Sequence, residues 1–335
     1  MQPTELVSQI LQALSDAQKE TAINNLLMSS PAPSAENEFL FFIKPELTLA
    51  NTGINHREVF QMILNSIDRF GLQITSIRLI NAAYLKQHKI ISMHYGVINQ
   101  LSAAAKTSLS TEAITRFESL YHETVASANL LGSLEFLEQY PFFSPTALSF
   151  LWQNSPTEKL AGGTYVQKLS IDGKTTYLIN GFHPRQLEHF IAPGRCIVAM
   201  SLSGKTDWTT ARNLLIGKTN PKEAAKDSIR NTLFKNAKIY GLQEISSSWN
   251  GVHLSAGPVE ALVELMRFTS GYQNGMYSQP ENFIFGRKMI AEFGKKKTDY
   301  FLNNPTIQFS GRKMPVFDLT EEKNPVECIE LLKDA

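Results

Sequence analysis

The sequence predicts an α+β fold in which helices pack on one face of an antiparallel sheet. Short apolar runs typical of strands alternate with amphipathic helical patterns, and this strand–helix–strand order occurs once early and once late in the chain. The polar material between the two halves resembles insertions more than a second independent domain. We therefore expect one sandwich that is enlarged by insertions and by terminal extensions.

The composition is that of an ordinary globular protein with little net charge. Its 335 residues are 43% hydrophobic and 19% charged, which is enough to bury a full core. The 32 Lys and Arg and the 31 Asp and Glu residues give a net charge of +1, which argues against general binding to nucleic acid or to membrane surfaces. Cys196 and Cys328 are the only cysteines, which excludes a disulfide scaffold and a cysteine-only metal site.

The N-terminal residues predict a helix rather than a targeting signal. Met1–Glu20 lacks the basic and apolar regions of a signal peptide, and no apolar stretch approaches the ~20 residues of a membrane span. We therefore expect a soluble, cytoplasmic protein that does not enter a membrane. Apolar residues recur at roughly helical spacing at Leu6, Ile10, Leu11, Leu14, Ile23 and Leu27. This helix could be a partner-binding arm, but packing on its own domain is the favoured interpretation.

The early half of the sandwich begins after a linker at Ser29–Ser34. It consists of a predicted strand at Glu38–Ile43, an amphipathic helix at Arg57–Phe70 and a second strand at Gln73–Ile80. These three elements form the first strand–helix–strand pattern.

The late half begins with Cys196–Leu202, an apolar run that predicts a buried central strand. Thr206 or Asp207 is expected to cap the helix that follows. Val259–Phe268 predicts another amphipathic helix, with Pro258 in its first turn.

The predicted domain organisation follows from these patterns. Between the halves, the Asp-Gly turn signal at 172–173 predicts a hairpin of Tyr165–Ser170 with Thr175–Ile179. The predicted parts are an N-terminal extension and linker (1–34), a main domain (35–270) with insertions near 96–139, 153–190 and 236–248, and a C-terminal extension (271–335).

His253 is the residue that most favours chemistry. It lies in a loop of small residues just before a predicted helix, where the backbone can approach a ligand and the helix start favours an anion. Glu264 is on that helix, and its side chain could lean back to the imidazole, fix its tautomer and raise its nucleophilicity. A structural histidine is the alternative.

Three cationic residues lie at the ends of predicted strands or helices. Lys44 closes the first strand, and Arg212 and Arg230 flank the loop Gly217–Pro221. Each could be a solvated surface charge, whereas convergence of all three on one pocket would form a polyphosphate clamp. Spacing alone leaves both interpretations open.

Six sequence blocks resemble nucleoside diphosphate kinases when they are taken together in order. They are FIKP, PFF, CIVAM, R…GKTNP, SIR and NGVHLS, the last with a glutamate eleven residues after its histidine, and they cover about half of the chain. The family signature Asn-x-x-His-x-Ser is matched by Asn250, His253 and Ser255. The resemblance implies a ferredoxin-like α/β sandwich and transfer of the γ-phosphate of a nucleoside triphosphate to a nucleoside diphosphate.

The resemblance also implies roles for the matched residues. His253 corresponds to the nucleophile that becomes a phosphohistidine, Glu264 to the carboxylate behind it, and Ser255 to its hydroxyl partner. Lys44 corresponds to the lysine that contacts the sugar hydroxyl and the transferring phosphate. Asn250 corresponds to the asparagine at the ribose 3′-hydroxyl.

Further matches concern the phosphates and the base. Arg212, Thr219 and Arg230 correspond to residues that bind the β- and γ-phosphates. Phe143 corresponds to the ring on which the base stacks, with core packing as an equal alternative. Tyr95, in a His-Tyr pair, is the favoured match for the active-site tyrosine, although the stretch beginning at His88 is nearer the usual distance.

The family implies Mg²⁺ held through nucleotide phosphates without protein ligands, and assembly into homo-oligomers. Several departures put the activity in question. Glu46 follows Lys-Pro in place of an aspartate, the segment from Arg212 to Thr219 is one residue longer, and Ala256 replaces an acid often associated with metal-bound water. The alternative function is therefore a catalytically weak nucleotide-binding regulatory or scaffold protein.

Overall fold

The computed structural model describes residues 3–31, 36–50 and 52–334. The chain forms two compact units. The first unit is built from segments 1–88 and 192–335, and the second from residues 89–191. Among the described residues, no helix combines the length and the apolar character that crossing a membrane would require.

Eleven strands are described, and they form three sheets. They are β1 (Asn24–Ser29), β2 (Asn37–Ile43), β3 (Gln73–Asn81), β4 (Leu130–Gly132), β5 (Glu158–Ala161), β6 (Thr164–Ile171), β7 (Lys174–Ile179), β8 (Cys196–Gly204), β9 (Val252–Leu254), β10 (Thr306–Phe309) and β11 (Arg312–Pro315).

The described α-helices are distributed over both units. They are α1 (Pro3–Ala13), α2 (His56–Arg69), α3 (Ala82–Gln87), α4 (Ile90–His94), α5 (Gly96–Ala103), α6 (Ala105–Ser108), α7 (Thr111–Tyr121), α8 (Ser133–Gln139), α9 (Pro145–Gln153), α10 (His183–Ile191), α11 (Trp208–Thr210), α12 (Ile229–Lys235), α13 (Pro258–Thr269), α14 (Ile284–Leu302), α15 (Val316–Thr320) and α16 (Pro325–Lys333). A π-helical turn, Ala211–Ile216, continues α11, and short 3-10 turns occur at Leu14–Gln18, Pro45–Leu47, Tyr272–Asn274 and Pro280–Asn282.

The sheet of the first unit confirms the predicted α+β class. Its order is β1-β3-β8-β2-β9, and every neighbouring pair is antiparallel. Without β1, the chain runs β2–α2–β3 and then β8–helix–β9, which is the βαββαβ (ferredoxin-like) order. The predicted strands and helices of both halves are present, and Asp207 rather than Thr206 caps α11 by accepting a bond from Thr210 N at 2.8 Å.

Helices lie on both faces of this sheet rather than on one. Phe39 and Phe41 of β2 point into the main core together with residues of α1 and α2. Phe42 points to the other face, since side chains alternate along a strand, and its ring lies 5.5 Å from that of Phe268 on α13. The prediction of a single helical layer was wrong because α13 turns back over the face that carries Phe42.

The N-terminal segment also differs from its prediction. The helical pattern ends at Ala13, and residues around Leu27 form β1, which pairs antiparallel with β3. A short apolar run such as Leu26–Met28 fits a strand or a helix by periodicity alone, and here the exposed edge of β3 provides a pairing partner. Part of the predicted linker, 32–34, falls outside the described residues.

The second unit has a sheet of order β4-β7-β6-β5, in which only β4 and β7 are parallel. The predicted hairpin is confirmed: β6 and β7 are joined at Asp172 and Gly173, whose positive φ angles of 50° and 74° are typical of a tight hairpin turn. The predicted insertions near 96–139 and 153–190 fall in this unit, which has apolar clusters of its own.

The third predicted insertion and the C-terminal extension belong to the first unit. Leu242 and Ile245, within the predicted insertion 236–248, are buried in the main core. The C-terminal helices α14 to α16 form a separate apolar cluster with Val259 and Leu262 of α13. The C-terminal extension therefore packs on the helix that carries Glu264.

Candidate active site

His253 is the middle residue of β9, a three-residue strand that pairs with the end of β2. Phe42 is its cross-strand partner, and the two rings stack at 4.5 Å with an interplanar angle of 17°. The chain enters β9 through Gly251, whose φ of 81° and close approach to Leu233 leave no space for a side chain. The imidazole is thereby held against one flat surface with 20% of its side chain exposed.

Glu264 braces this imidazole from α13. Nε2 of His253 lies 3.1 Å from both carboxylate oxygens of Glu264, and the carboxylate is 2% exposed. Ser255 Oγ donates to Glu264 Oε2 at 2.5 Å. This pattern favours the tautomer with a proton on Nε2, so that Nδ1, at the other edge of the ring, carries the lone pair. The arrangement is that of an oriented nucleophile.

Lys44 lies directly after β2 and is anchored beside β9. Its Nζ donates to Asn250 Oδ1 at 2.7 Å, and Asn250 Nδ2 donates to the carbonyls of Thr219 and Ser247 at 3.2 Å. The pKa of Lys44 is lowered to about 8, mainly by burial; Glu46 acts in the opposite direction, and the charge of Arg230 adds to the lowering. Lys44 is therefore positioned by Asn250 and titrates close to neutral pH.

Arg230 connects β9 with the loop that follows the π-helical turn. From α12, its Nη1 donates to the carbonyl of Gly217 at 2.8 Å and its Nη2 to the carbonyl of Val252 at 3.0 Å. The second acceptor is the residue immediately before His253. Arg230 is thus fixed between two backbone segments of the site, and exposed Thr219 follows Gly217 in the same loop.

Arg212 lies in the π-helical turn and is paired with acids of the C-terminal extension. Its Nη2 lies 2.8 Å from Glu321 Oε1 and its Nε lies 3.4 Å from Glu322 Oε1. In this turn, Gly217 N donates to Arg212 O across five residues. No pattern in the sequence indicates that these acids reach Arg212.

The C-terminal extension is in direct backbone contact with the loop that follows His253. Glu322 N donates to the carbonyl of Ala256 at 2.9 Å. A Cβ atom added to Gly257 would lie 2.3 Å from the carbonyl oxygen of Thr320. Only glycine therefore fits at this position while the segment around Glu321 stays in place.

Glu260 is a further member of the site that sequence analysis missed. It precedes Glu264 by one helical turn on α13, and this spacing was the signal that could have identified it. Burial and the negative charge of Glu264 raise the pKa of Glu260 to about 8, while Arg212 acts in the opposite direction. Burial and the charge of Glu264 therefore favour the protonated form of Glu260.

The remaining predicted residues lie elsewhere in the chain. Tyr95 and Phe143 belong to the second unit: the ring of Tyr95 lies 6.2 Å from that of His183, and Phe143 packs in the apolar cluster that contains Phe136. His88 lies in the first unit, where its ring stacks on Tyr272 at 5.5 Å.

The first unit brings the other predicted residues together around the start of β9 and α13. Direct hydrogen bonds or ring contacts connect His253, Glu264 and Ser255 as one group, and Lys44, Asn250 and Thr219 as another. Arg230 joins the loop of Thr219 to β9, whereas Arg212 is held by the C-terminal acids. The first unit therefore combines an oriented imidazole with cationic side chains, which is an arrangement suited to an anionic ligand.

Comparison with known proteins gives distant structural neighbours. No family model matches the chain, and no curated protein matches it. Solved structures that match include a nucleoside diphosphate kinase from Encephalitozoon cuniculi, at 15% identity and a TM-score of 0.33, covering 69% of this chain and 88% of that one. An NDP kinase from Pyrobaculum aerophilum matches at 17% identity and a TM-score of 0.35, covering 70% of this chain and 96% of that one.

Proposed function

We propose that the protein is a nucleoside diphosphate kinase that transfers a γ-phosphate through a phosphohistidine on His253. The observation that carries the proposal is the imidazole held between the Phe42 ring and the buried Glu264 carboxylate. This support fixes the ring and directs one nitrogen toward a substrate, which is what a nucleophilic histidine needs. The blocks that resemble the family supply the substrate class.

In the first half-reaction, Nδ1 of His253 attacks the γ-phosphorus of a nucleoside triphosphate. The bond from phosphorus to the β,γ-bridging oxygen breaks, and the nucleoside diphosphate leaves with that electron pair. The imidazole keeps its Nε2 proton and becomes positively charged, which Glu264 stabilises. A second nucleoside diphosphate then attacks the phosphohistidine with a terminal phosphate oxygen, and the enzyme is regenerated by this ping-pong route.

The cations would bind the phosphates and offset their charge during transfer. Lys44 and Arg230 are proposed to contact the transferring and neighbouring phosphates, with Thr219 in the adjacent loop. Asn250, which orients Lys44, would contact the ribose. Glu321 and Glu322 engage two of the five N–H donors of Arg212 and would compete with a phosphate for its charge.

Mg²⁺ fits this site as an ion carried by the nucleotide. It prefers oxygen ligands and would be held through the phosphates. Beside Ser255, Ala256 and Gly257 supply no carboxylate, and burial favours the protonated form of Glu260. The carboxylates of Glu321 and Glu322 are engaged in ion pairs with Arg212.

The remaining predictions are kept as proposals. Tyr95 is proposed as the residue that contacts the transferring phosphate, and Phe143 as the ring on which the base stacks. A cytoplasmic homo-oligomer is proposed on the family resemblance alone. Binding of nucleic acid is not proposed, because the net charge is +1.

A nucleotide-binding protein without efficient turnover is the second candidate. The ion pairs of Arg212 favour it, because a guanidinium engaged by two carboxylates is less available to phosphate. Binding of ADP without phosphate exchange onto a second nucleoside diphosphate would support this candidate over the kinase.

Labelling with γ-³²P-ATP tests the proposal. We expect an acid-labile label on the purified protein that GDP removes as labelled GTP. His253→Ala should abolish the label, Glu264→Gln should reduce it strongly, and His56→Gln on α2 is the matched control that should keep it. A protein that takes up no label, or His253→Ala that is labelled as well as the wild type, would refute the kinase.

A further inference from the structure

The sheet of the first unit has a polar face where β1, β3 and β8 meet. Ser76 and Arg78 lie on the same face of β3, opposite to that of the core residue Ile77. The pairing register adds Asn24 from β1 and Ser201 from β8 to this face. Ser76 Oγ donates to Ser201 Oγ at 2.9 Å, and Arg78 Nη1 donates to Asn24 Oδ1 at 3.1 Å.

A loop after α13 lies over part of this polar face. Gly271 N donates to the carbonyl of Met276 at 2.7 Å and Met276 N donates back at 3.1 Å, which closes the loop. Tyr84 Oη donates to the carbonyl of Ser270 at 3.2 Å and so ties the loop to α3. These hydrogen bonds therefore fix the conformation of the loop.

A cavity of about 380 Å³ lies between the loop and the sheet. Polar side chains that line it are Asn24, Arg78, Tyr84, Thr269, Ser278 and Asn282. Its volume is in the range of small-molecule sites. The exposed side chains of Met276 and Tyr277 add apolar surface to its lining. We call this space the Arg78 cavity.

Arg78 has no carboxylate partner among the residues that the structure describes, and its described hydrogen bond is the one to Asn24. Its Nε is buried and meets no protein acceptor. Burial lowers the pKa of the guanidinium, yet arginine keeps its charge in proteins. A partly buried charge without a counterion is unfavourable for stability, and such a conflict is typical of a functional position.

We propose that the Arg78 cavity binds the oxyanion group of a small organic ligand, a carboxylate or a phosphate. The guanidinium fork of Arg78 matches two oxygens of either group. Hydroxyl and amide groups of Thr269, Ser278 and Asn282 also line the cavity and can contact the rest of the ligand. The proposal does not depend on the kinase activity, because none of these residues belongs to the phosphoryl-transfer site.

Isothermal titration of the full chain tests this site with two probes, glycerol 3-phosphate and succinate, which separate the phosphate source from the carboxylate source. We expect saturable binding of at least one probe. Arg78→Gln should weaken that binding about tenfold or more, since it removes a charge-assisted bidentate contact. Arg287→Gln, an exposed arginine of the same unit, is the matched control and should bind like the wild type.

Arg230→Gln separates the Arg78 cavity from the proposed nucleotide site and should leave the probe affinity unchanged. Arg78→Lys keeps the positive charge but loses the bidentate guanidinium contact, so its affinity for the probe should also fall. This variant tests the site if Arg78→Gln does not fold. The proposal is overturned if neither probe binds, if the Arg78 variants bind as tightly as the wild type, or if only Arg230→Gln loses binding.

Discussion

Arg230 and Arg212 present two different ways of holding an arginine next to the same site. Arg230 donates to the carbonyls of Gly217 and Val252, whereas Arg212 is paired with the carboxylates of Glu321 and Glu322. Carbonyl acceptors orient a guanidinium without adding a negative charge, while carboxylates compete directly with a phosphate for it. Resemblance in sequence treats both arginines alike, whereas in the structure two carboxylates compete for the charge of Arg212.

The largest effect is expected from Arg230→Gln. Removing a pre-organised cation that stabilises transferring charge lowers kcat about a hundredfold or more. Single-turnover transfer from the phosphorylated protein to ADP measures this step. Arg230→Lys keeps the charge without the two carbonyl contacts and should recover part of the rate. A rate of Arg230→Gln close to that of the wild type would show that the guanidinium does not contact the transferring group.

Arg212→Gln is expected to have a smaller effect, which is a loss of nucleotide affinity, because the charge of Arg212 is already shared with two acids. We expect about a tenfold weaker nucleotide affinity, as for the loss of one partly exposed charge-assisted contact. Equilibrium binding of ADP measures it. Equal losses for Arg212→Gln and Arg230→Gln would remove the distinction between the two arginines.

An effect of opposite sign is expected when the acids are neutralised. The double variant Glu321→Gln, Glu322→Gln should bind ADP several-fold more tightly, since exposed ion pairs of this kind contribute up to about 1 kcal/mol. Glu330→Gln, which removes the exposed pair with Lys333, is the matched control and should leave ADP binding unchanged. Weaker ADP binding by the double variant would mean that the acids support the site rather than compete at it.

The smallest effect concerns the pH response of Lys44. Its pKa of about 8 means that the charge is lost in the folded protein as pH rises through about 8, so phosphate affinity should fall above that pH. The unfolded chain keeps this proton to about pH 10.4, so between the two values it binds more protons, and the contribution of Lys44 to the free energy of unfolding rises with pH.

Arg230 lowers the pKa of Lys44, so Arg230→Gln should raise it, whereas Arg212→Gln should not. The rate at which an amine-reactive reagent labels Lys44, followed by mass spectrometry over a pH series, reports the pKa directly. An identical labelling profile in wild type and Arg230→Gln would contradict the coupling of the two cations.

Local patterns in the sequence identified the central strands and helices because each has a clear period. The apolar run of β8 and the helical stripe of α2 are examples, and Asp172-Gly173 predicted its hairpin through turn chemistry. His253 and Glu264 were paired correctly as neighbours because a strand end and the following helix are linked by few residues.

Long-range contacts could not be predicted in this way. Glu321 reaches Arg212 across 109 residues, and no periodicity encodes such a distance. The pairing of β1 with β3 likewise depends on which sheet edge is available, not on the composition of β1 alone. The one-turn spacing of Glu260 from Glu264 is visible in the sequence, but the raised pKa of Glu260 arises from burial, which only the packed structure reveals.

The position of β1 bears on how copies of this chain can associate. β1 is the outermost described strand beyond β3, and it forms hydrogen bonds with backbone groups of β3 that could otherwise pair with a strand of another molecule. Its register is interrupted between Leu26 and Met28, and such a bulge makes a strand a poorer surface for further pairing. Loss of the first thirty or so residues would uncover β3, so that truncated material should be more prone to aggregation through sheet extension than the intact chain.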